Sequence, residues 1–525
     1  MPRPAHTAPS LLAVTLALVT ACSGGGGGGA GAAGPADQLR LAVSADLPTL
    51  DPDTVYQYEG NQILNAVYEG LLSYAGDSTA EIVPALASKY EVSPDGLTYT
   101  FTLRDDVTFA DGRKMTSADV RASFERLADE KVASQMAYMV AGIGGYATPD
   151  DGTFVVTLKA PSSSFLSLVA SPFGPKVIDG DVLKDNAADS ATAYLKEHTA
   201  GTGPYEVASM TKGQGYELAR NDDYWGGSPS FAKVSVKVIA DAATRLLQLQ
   251  GGDLDVVTGQ PVATVDQFAK TDGYQVAEFP TLQKAQLHLK VTGALADAKL
   301  RVALRAAIDR DAFVRQIFGT HATASTQMYP VTSVPDTLAK DAWTTDPSGL
   351  KALAAGKSLT LGYISGQARD KQAAEALQAQ WAAAGATVDL TPIQGSDIYG
   401  FSSALDTAPD MIYESSYPDS THPDTWARLF WYSDTAKGNG ALNYLVGGTK
   451  EADAAIDAGA AATAQEQVDA AYGKAGDLVA AQASYITLAD MKDSFIMRGD
   501  LTGAGHWLPA PMTLDLRTIK RAGAQ

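Results

Sequence analysis

Apolar and polar residues alternate with a period of two along many short stretches of this chain, the pattern that places every second side chain on the buried face of a strand. Leu39, Leu41 and Val43 follow it, as do Tyr99, Phe101 and Leu103; Val234, Val236 and Val238; and Leu287, Leu289 and Val291. Between such runs the spacing becomes helical. Asp241 to Gln250 opens on a capping Asp and stops at Gly251-Gly252, and Leu254 to Val257 then reads as a buried strand. Lys299 to Asp309 and Asp311 to Phe318 predict two further helices, the second closed by Gly319. An alanine-rich helix over Asp370 to Ala384 lies between strands at Leu359 to Ile364 and Ala386 to Ile393, and Ala464 to Ser484 predicts another. Strands and helices that interleave in this way make an α/β protein whose sheets are covered by helices.

At 525 residues the chain exceeds the roughly 250 to 300 at which one core stops growing, so two or more packed lobes are expected. No long charged or Pro-rich spacer interrupts Leu39 to Ile519, which predicts strand-like crossings between the lobes. The formal net charge of −20 and the absence of a basic patch argue against nucleic acid as a partner.

The N-terminus reads as an address. Arg3 precedes the apolar run Leu11 to Val19, too short to span a bilayer, and Val19, Thr20 and Ala21 then lead into Cys22, the only cysteine in the chain. This order resembles a bacterial lipobox, which implies a signal peptide over residues 1–21, lipidation of Cys22 and attachment to a membrane through that lipid. Residues 22–37 are Gly/Ala-rich and predict a flexible tether. The tether contains a formal GxGxxG match, Gly29 to Gly34, but no strand precedes it and no amphipathic helix follows, so no nucleotide site is read there.

Signatures of catalysis are missing. The sequence has no GxSxG, HExxH, GxxxxGK[ST] or CxxC, and none of its six histidines is paired at i, i+3 or i, i+4. No metal site, no cofactor and no enzyme activity are therefore expected, although carboxylates can gather in space without a sequence trace. His288 lies on the strand face opposite Leu287 and Leu289, where a structural or exposed role is expected.

Three further stretches carry motifs in a definite order. Asp46 to Asp53 (DLPTLDPD) is followed by Asn61 to Tyr74 (NQILNAVYEGLLSY). Val83 to Ser123 contains a PALA segment, the turn pairs Asp95-Gly96 and Asp111-Gly112 around an alternating strand, and a helix capped at Thr116 or Ser117 with Asp119 in its first turn. Gly201 to Tyr205 (GTGPY), Tyr224-Trp225 and Arg301 to Arg310 follow. In this order the three stretches together resemble the family 5 extracellular solute-binding proteins, the peptide- and nickel-binding components of ABC importers.

The resemblance implies a two-lobed periplasmic-binding-protein-like fold, a class II Venus flytrap with an extra subdomain inserted in lobe one. The strands then place lobe one at about residues 38–282 plus 493–525, its insert near 60–184, and lobe two at 283–492. The resemblance further implies a monomer that traps a peptide by lobe closure and passes it to an ABC permease.

For the ligand site, the resemblance points to Asp419, in Tyr413 to Trp426 (YESSYPDSTHPDTW), as the carboxylate that meets a peptide's α-ammonium. Asp46, Leu47 and Pro48 correspond to a segment that lines the cleft. Arg369 is the nearest candidate for a terminal carboxylate, and Tyr417 and Trp426, with Trp431 and Tyr432, are candidate aromatic walls. The chain departs from the dipeptide-binding pattern at Ile364, where that pattern has an Arg, and at Ser416, where it often has a Trp. Nickel chelates, with His422 as a contact, oligosaccharides or another small solute thus remain alternatives within the same fold. A secreted hydrolase using cleft carboxylates and a sensor module are the alternatives outside transport.

Overall fold

The computed structural model describes residues 37–76, 80–435 and 440–523. Cys22, the apolar run before it and nearly all of the tether lie outside the described residues.

The first sheet has four strands in the order Gln38–Val43, Lys233–Val238, Gly215–Arg220 and Tyr205–Thr211, the first pair parallel and the others antiparallel. Leu39, Leu41, Val43, Val234 and Val236 are buried, as their alternation requires. Helix Tyr58–Val67 packs against them through Ile63, Leu64 and Val67. The chain's far end returns to this core, with Phe495, Met497, Leu501, Leu514, Leu516 and Ile519 joining it.

A second antiparallel sheet, in the order Ala87–Val92, Thr98–Leu103, Thr153–Leu158 and Ile143–Asp150, has an apolar cluster of its own drawn from Leu71 to Val177. Helix Ser117–Leu127 covers it with Val120, Phe124 and Leu127. Thr116 is the N-cap, and Asp119 completes a capping box by accepting from the Thr116 backbone at 2.7 Å. Gly96 and Gly112 take positive φ (+68° and +83°) in the turns expected around this sheet.

The largest sheet has seven strands. Its order is Val256–Thr258, Tyr485–Arg498, Tyr274–Leu289, Met411–Ser416, Ser358–Ile364 and Thr387–Ile393, with Ala322–Ala324 also paired to Tyr485–Arg498. Ser358–Ile364 and Thr387–Ile393 are parallel and joined by helix Ala368–Ala383, as the spacing predicts. The strand read from Leu287, Leu289 and Val291 differs from expectation: it runs for 16 residues, Tyr274–Leu289, and ends before Val291. Its N-terminal half shows no clean alternation because its surroundings change along its length. Phe279 packs with Phe495 in the first core, while Leu287 and Ile486 lie in a core with Leu359, Leu377 and Trp381. The two longest strands therefore run antiparallel from one core to the other, with a break in register between Pro280 and Lys284. A further cluster around Trp426, Trp431, Tyr472 and Tyr485 completes the second lobe. Among the described residues no helix is long and apolar enough to cross a membrane.

Candidate ligand cleft

The segment between the first strand and helix Tyr58–Val67 is fixed by charge. Asp51 and Asp53 are buried and both accept from the Arg126 guanidinium on helix Ser117–Leu127; the Asp51 contacts are 2.6 and 2.9 Å. Burial pushes Asp53 up to about 7 against the pull of Arg126. The anchor ties the first sheet's outgoing chain to the inserted sheet, and the next residues, Tyr56 and Tyr58, are held at the junction of the lobes.

Asp419 meets them from the other side. It follows strand Met411–Ser416 and precedes helix Pro423–Phe430, a turn set by Pro418 and by the Pro423 that starts the helix. The Tyr56 hydroxyl donates to both Asp419 carboxylate oxygens at 2.7 Å, and the Tyr138 hydroxyl donates to the same carboxylate. The Ser171 hydroxyl donates to the Asp419 backbone carbonyl at 2.5 Å. Burial raises the pKa of Asp419, and the two phenol donors act in the opposite sense. Burial and the Asp419 charge push both phenols above their ordinary range, so they remain neutral donors.

Aromatic rings enclose this carboxylate. Tyr58 lies 4.5 Å from Tyr417 and 6.1 Å from Phe173 between ring centroids, and Tyr56 meets Phe173 edge-on at 5.1 Å. Such a surround excludes water and offers ring faces to a cation. Below it in the sheet, Glu414 accepts from Gln286 (3.2 Å), directly opposite on the neighbouring strand, and pairs with His288 Nε2 (2.6 Å). His288 is buried, in keeping with a structural role.

Other expected residues lie elsewhere. Asp46 accepts from the Tyr216 hydroxyl, from Gly213 N–H (2.6 Å) and from Leu47 N–H (3.0 Å). Leu47 is buried in the first core, its N–H also directed at Tyr216 (2.9 Å), and Pro48 is exposed. This segment is thus occupied within its own lobe; farther along, Tyr56 reaches Asp419 instead, and Tyr58 packs on Tyr417. Trp426 is fully buried against Phe430 (4.4 Å) inside the second lobe. Its helix turns that side toward the core, so it packs and does not wall the cleft. Trp431 is equally buried. His422 caps helix Pro423–Phe430, Nδ1 accepting from Asp424 N–H at 3.2 Å, and burial pushes it down to about 4. Its ring nitrogen is committed to the helix.

Arg369 sits in the first turn of helix Ala368–Ala383 and makes no ion pair among the described residues. Its charge is felt at Tyr417, at Asp493 and at Asp370, which burial pushes up to about 7. Its guanidinium lies over the Phe318 ring, 5.9 Å from the centroid. Among the described residues no group of His, Cys, Asp or Glu is placed to hold a metal ion.

Bonds between the lobes continue at the rim. Ser163 donates from its backbone to Ala460 O and from its hydroxyl to Gly459 O, each at 2.9 Å. Sequence reasoning missed Tyr56, Tyr58, Tyr138 and Phe173. Tyr56 and Tyr58 fall in the gap between the two halves of the opening motif, and nothing in the pattern of Tyr138 or Phe173 distinguishes them from core aromatics.

The family model described as bacterial extracellular solute-binding proteins, family 5 Middle, matches residues 81–438. The probable D,D-dipeptide-binding periplasmic protein DdpA of Escherichia coli K12 is 35% identical over 287 residues, 54% of this chain and 55% of that protein. The chain spans about half the length of the curated relatives it matches. Among solved structures, the ABC transporter substrate-binding protein CtaP of Listeria monocytogenes superposes with a TM-score of 0.83 at 21% identity, over 92% of this chain and 99% of that one. DppA of Helicobacter pylori, in complex with the peptide STSA, gives 0.76 at 23% identity, over 92% and 98%.

Proposed function

The chain belongs to the bacterial extracellular solute-binding proteins of family 5, and we propose on that premise that it captures oligopeptides by lobe closure and delivers them to an ABC import permease. Members of this family are extracytoplasmic binding proteins and not enzymes. The observation that carries the peptide reading is the buried Asp419 carboxylate at the lobe junction, held by two neutral phenols inside an aromatic surround. A carboxylate has about four acceptor positions, so an ammonium can join or replace the phenols there. A charge-assisted bond of this kind contributes roughly 1.5 to 3 kcal/mol. It reads only a peptide's main chain, which suits a receptor tolerant of side chains. Arg369, with no ion-paired carboxylate among the described residues, is the matching candidate for the ligand's other end. The names of the relatives, a D,D-dipeptide-binding protein and a receptor solved with a tetrapeptide, point the same way.

Closure requires a hinge, and the two long strands supply it where the register breaks between Pro280 and Lys284, opposite Asp490 and Lys492. The lobe boundaries at residues 282 and 493 follow from this reading. Lipidation of Cys22 and a tether over residues 22–37 hold the receptor at the outer face of the cytoplasmic membrane, beside its permease.

The test is direct. The chain from residue 38 is expressed, purified gently and weighed by native and then denaturing mass spectrometry. Short peptides at one per chain are expected; a metal chelate or a sugar in their place overturns the peptide reading. For the anchor, Cys22→Ser is expected to move the protein from the membrane fraction to the soluble one.

A further inference from the structure

We propose that the cleft holds a subsite for a basic side chain, in which Glu414 meets the ammonium of a lysine or the guanidinium of an arginine near the amino end of the bound peptide. This inference rests on the peptide reading of the cleft and names the kind of peptide it favours.

Glu414 lies on strand Met411–Ser416, five residues before Asp419, so a ligand held at Asp419 passes it within its first few residues. One of its two oxygens is occupied. Oε1 accepts from Gln286 (3.2 Å) and is paired with His288 Nε2 (2.6 Å), whereas Oε2 has no partner among the described residues. The side chain is only 8% accessible, yet Oε2, unlike Gln286 Oε1 and His288 Nδ1, is not fully enclosed. A carboxylate more than nine-tenths buried thus presents one unmatched oxygen to open space. His288 does not neutralise it. Nδ1 of that ring is enclosed without a partner, and a proton there would be a buried donor with no acceptor, so the ring serves as a neutral donor through Nε2.

Rings from both lobes gather around this oxygen. Tyr444 lies 5.2 Å from the His288 ring and meets Tyr399 edge-on at 5.9 Å. Tyr399 is 62% exposed, and Tyr58, from the first lobe, is 37% exposed. Burial and then the Glu414 charge raise the phenols of Tyr399 and Tyr444; at Tyr58 burial and the Asp419 charge lead, and Glu414 and Glu59 add to them. Glu414 therefore acts across the junction on the same Tyr58 that packs on Tyr417.

A carboxylate with one unmatched oxygen beneath exposed ring faces suits a cation carried on an apolar stem. The charge bonds the oxygen, and the stem and charge lie on the rings. Water can bond the oxygen but leaves the rings exposed. An acidic side chain is repelled, and an apolar one covers the oxygen without matching it, so the subsite discriminates as well as attracts.

The experiment is titration calorimetry of the dialysed protein with alanine peptides of two to four residues that carry lysine, or methionine of similar shape, at one of the first three positions. At one position lysine should bind at least about tenfold tighter than methionine, and in Glu414→Gln that ratio should fall toward one. Tyr399→Ala alters an exposed ring, serves if the first variant does not fold, and should lower the ratio several-fold. Equal binding of the lysine and methionine peptides at every position, or an unchanged ratio in the folded variant, overturns this inference and leaves the peptide reading standing. Binding of none of these peptides overturns both.

Discussion

The hydroxyl of Tyr56 donates to both carboxylate oxygens of Asp419 at 2.7 Å, joining residues 363 positions apart across the two lobes. Tyr56 and Tyr138 thus satisfy the acid that a peptide's ammonium is proposed to meet. Asp419→Asn keeps the shape and removes the charge, so peptide affinity should fall by about tenfold or more, in line with roughly 1.5 to 3 kcal/mol for a charged hydrogen bond. Tyr56→Phe keeps the charge and removes one competing donor, and should change affinity by less than Asp419→Asn does. Titration calorimetry on both variants decides it: equal affinities for Asp419→Asn and the unmodified protein remove Asp419 from the site.

Ser163 tests closure independently of the ligand's chemistry. Its two bonds to Gly459 and Ala460 join the inserted sheet to a helix of the second lobe and do not involve the residues around Asp419. Ser163→Ala removes one of them, about 0.5 to 1.5 kcal/mol, and a ligand that binds the closed state then pays for closing against a weaker latch. Peptide affinity should drop about two- to tenfold. Small-angle scattering should also show a more open unliganded protein, and an unchanged scattering profile would count against the latch.

Most of the α/β order was legible in the sequence, because half-buried strands and amphipathic helices write their periods directly into it. The long crossing strands were only half legible, since Tyr274–Leu289 exchanges one core for another near Pro280 and no single alternation spans that change. At the site, Asp419 was legible through the resemblance alone. Its partners were not, because Tyr56, Tyr138 and Phe173 come from three separate segments and gain their meaning only when the lobes meet. The motif residues tell the converse story. Glu69 of the YEGLL segment accepts from Thr202 of GTGPY and from the Tyr224-Trp225 pair, so three family marks converge on one half-buried carboxylate that builds the lobe.

The glycines of GTGPY follow from the same convergence. Gly203 N–H donates to Val67 O at 2.9 Å, and a Cβ on Gly203 would lie 2.6 Å from the carbonyl oxygens of Ala66 and Val67. The obstacle is backbone at the end of a packed helix and cannot swing aside. Gly203→Ala should therefore destabilise the protein by about 1 to 3 kcal/mol. The check is the midpoint of urea unfolding at constant m-value; a midpoint equal to that of the unmodified protein contradicts this close approach.

The last prediction concerns pH and the anchor beneath Tyr56. Arg126 faces two buried acids, Asp51 and Asp53, so one negative charge is left over, and the desolvation of Asp53 raises it to about 7. A free Asp titrates near 3.9. Between those values the folded chain holds a proton that the unfolded chain has released, so this group's contribution to stability is fully present below about pH 4 and is lost as pH rises through about 7. Asp53→Asn keeps an acceptor for Arg126 and cannot ionise. Relative to the unmodified protein, it should gain stability on going from pH 5 to pH 8, by on the order of one to a few kcal/mol. Arg126→Met leaves both acids without their partner, and should cost about 3 to 5 kcal/mol at pH 8 and less at pH 5, where Asp53 is protonated. Denaturant unfolding of the three proteins at the two pH values measures both effects. If the difference between Asp53→Asn and the unmodified protein is the same at pH 5 and pH 8, Asp53 does not titrate in this interval, and the excess charge of the anchor is carried in another way.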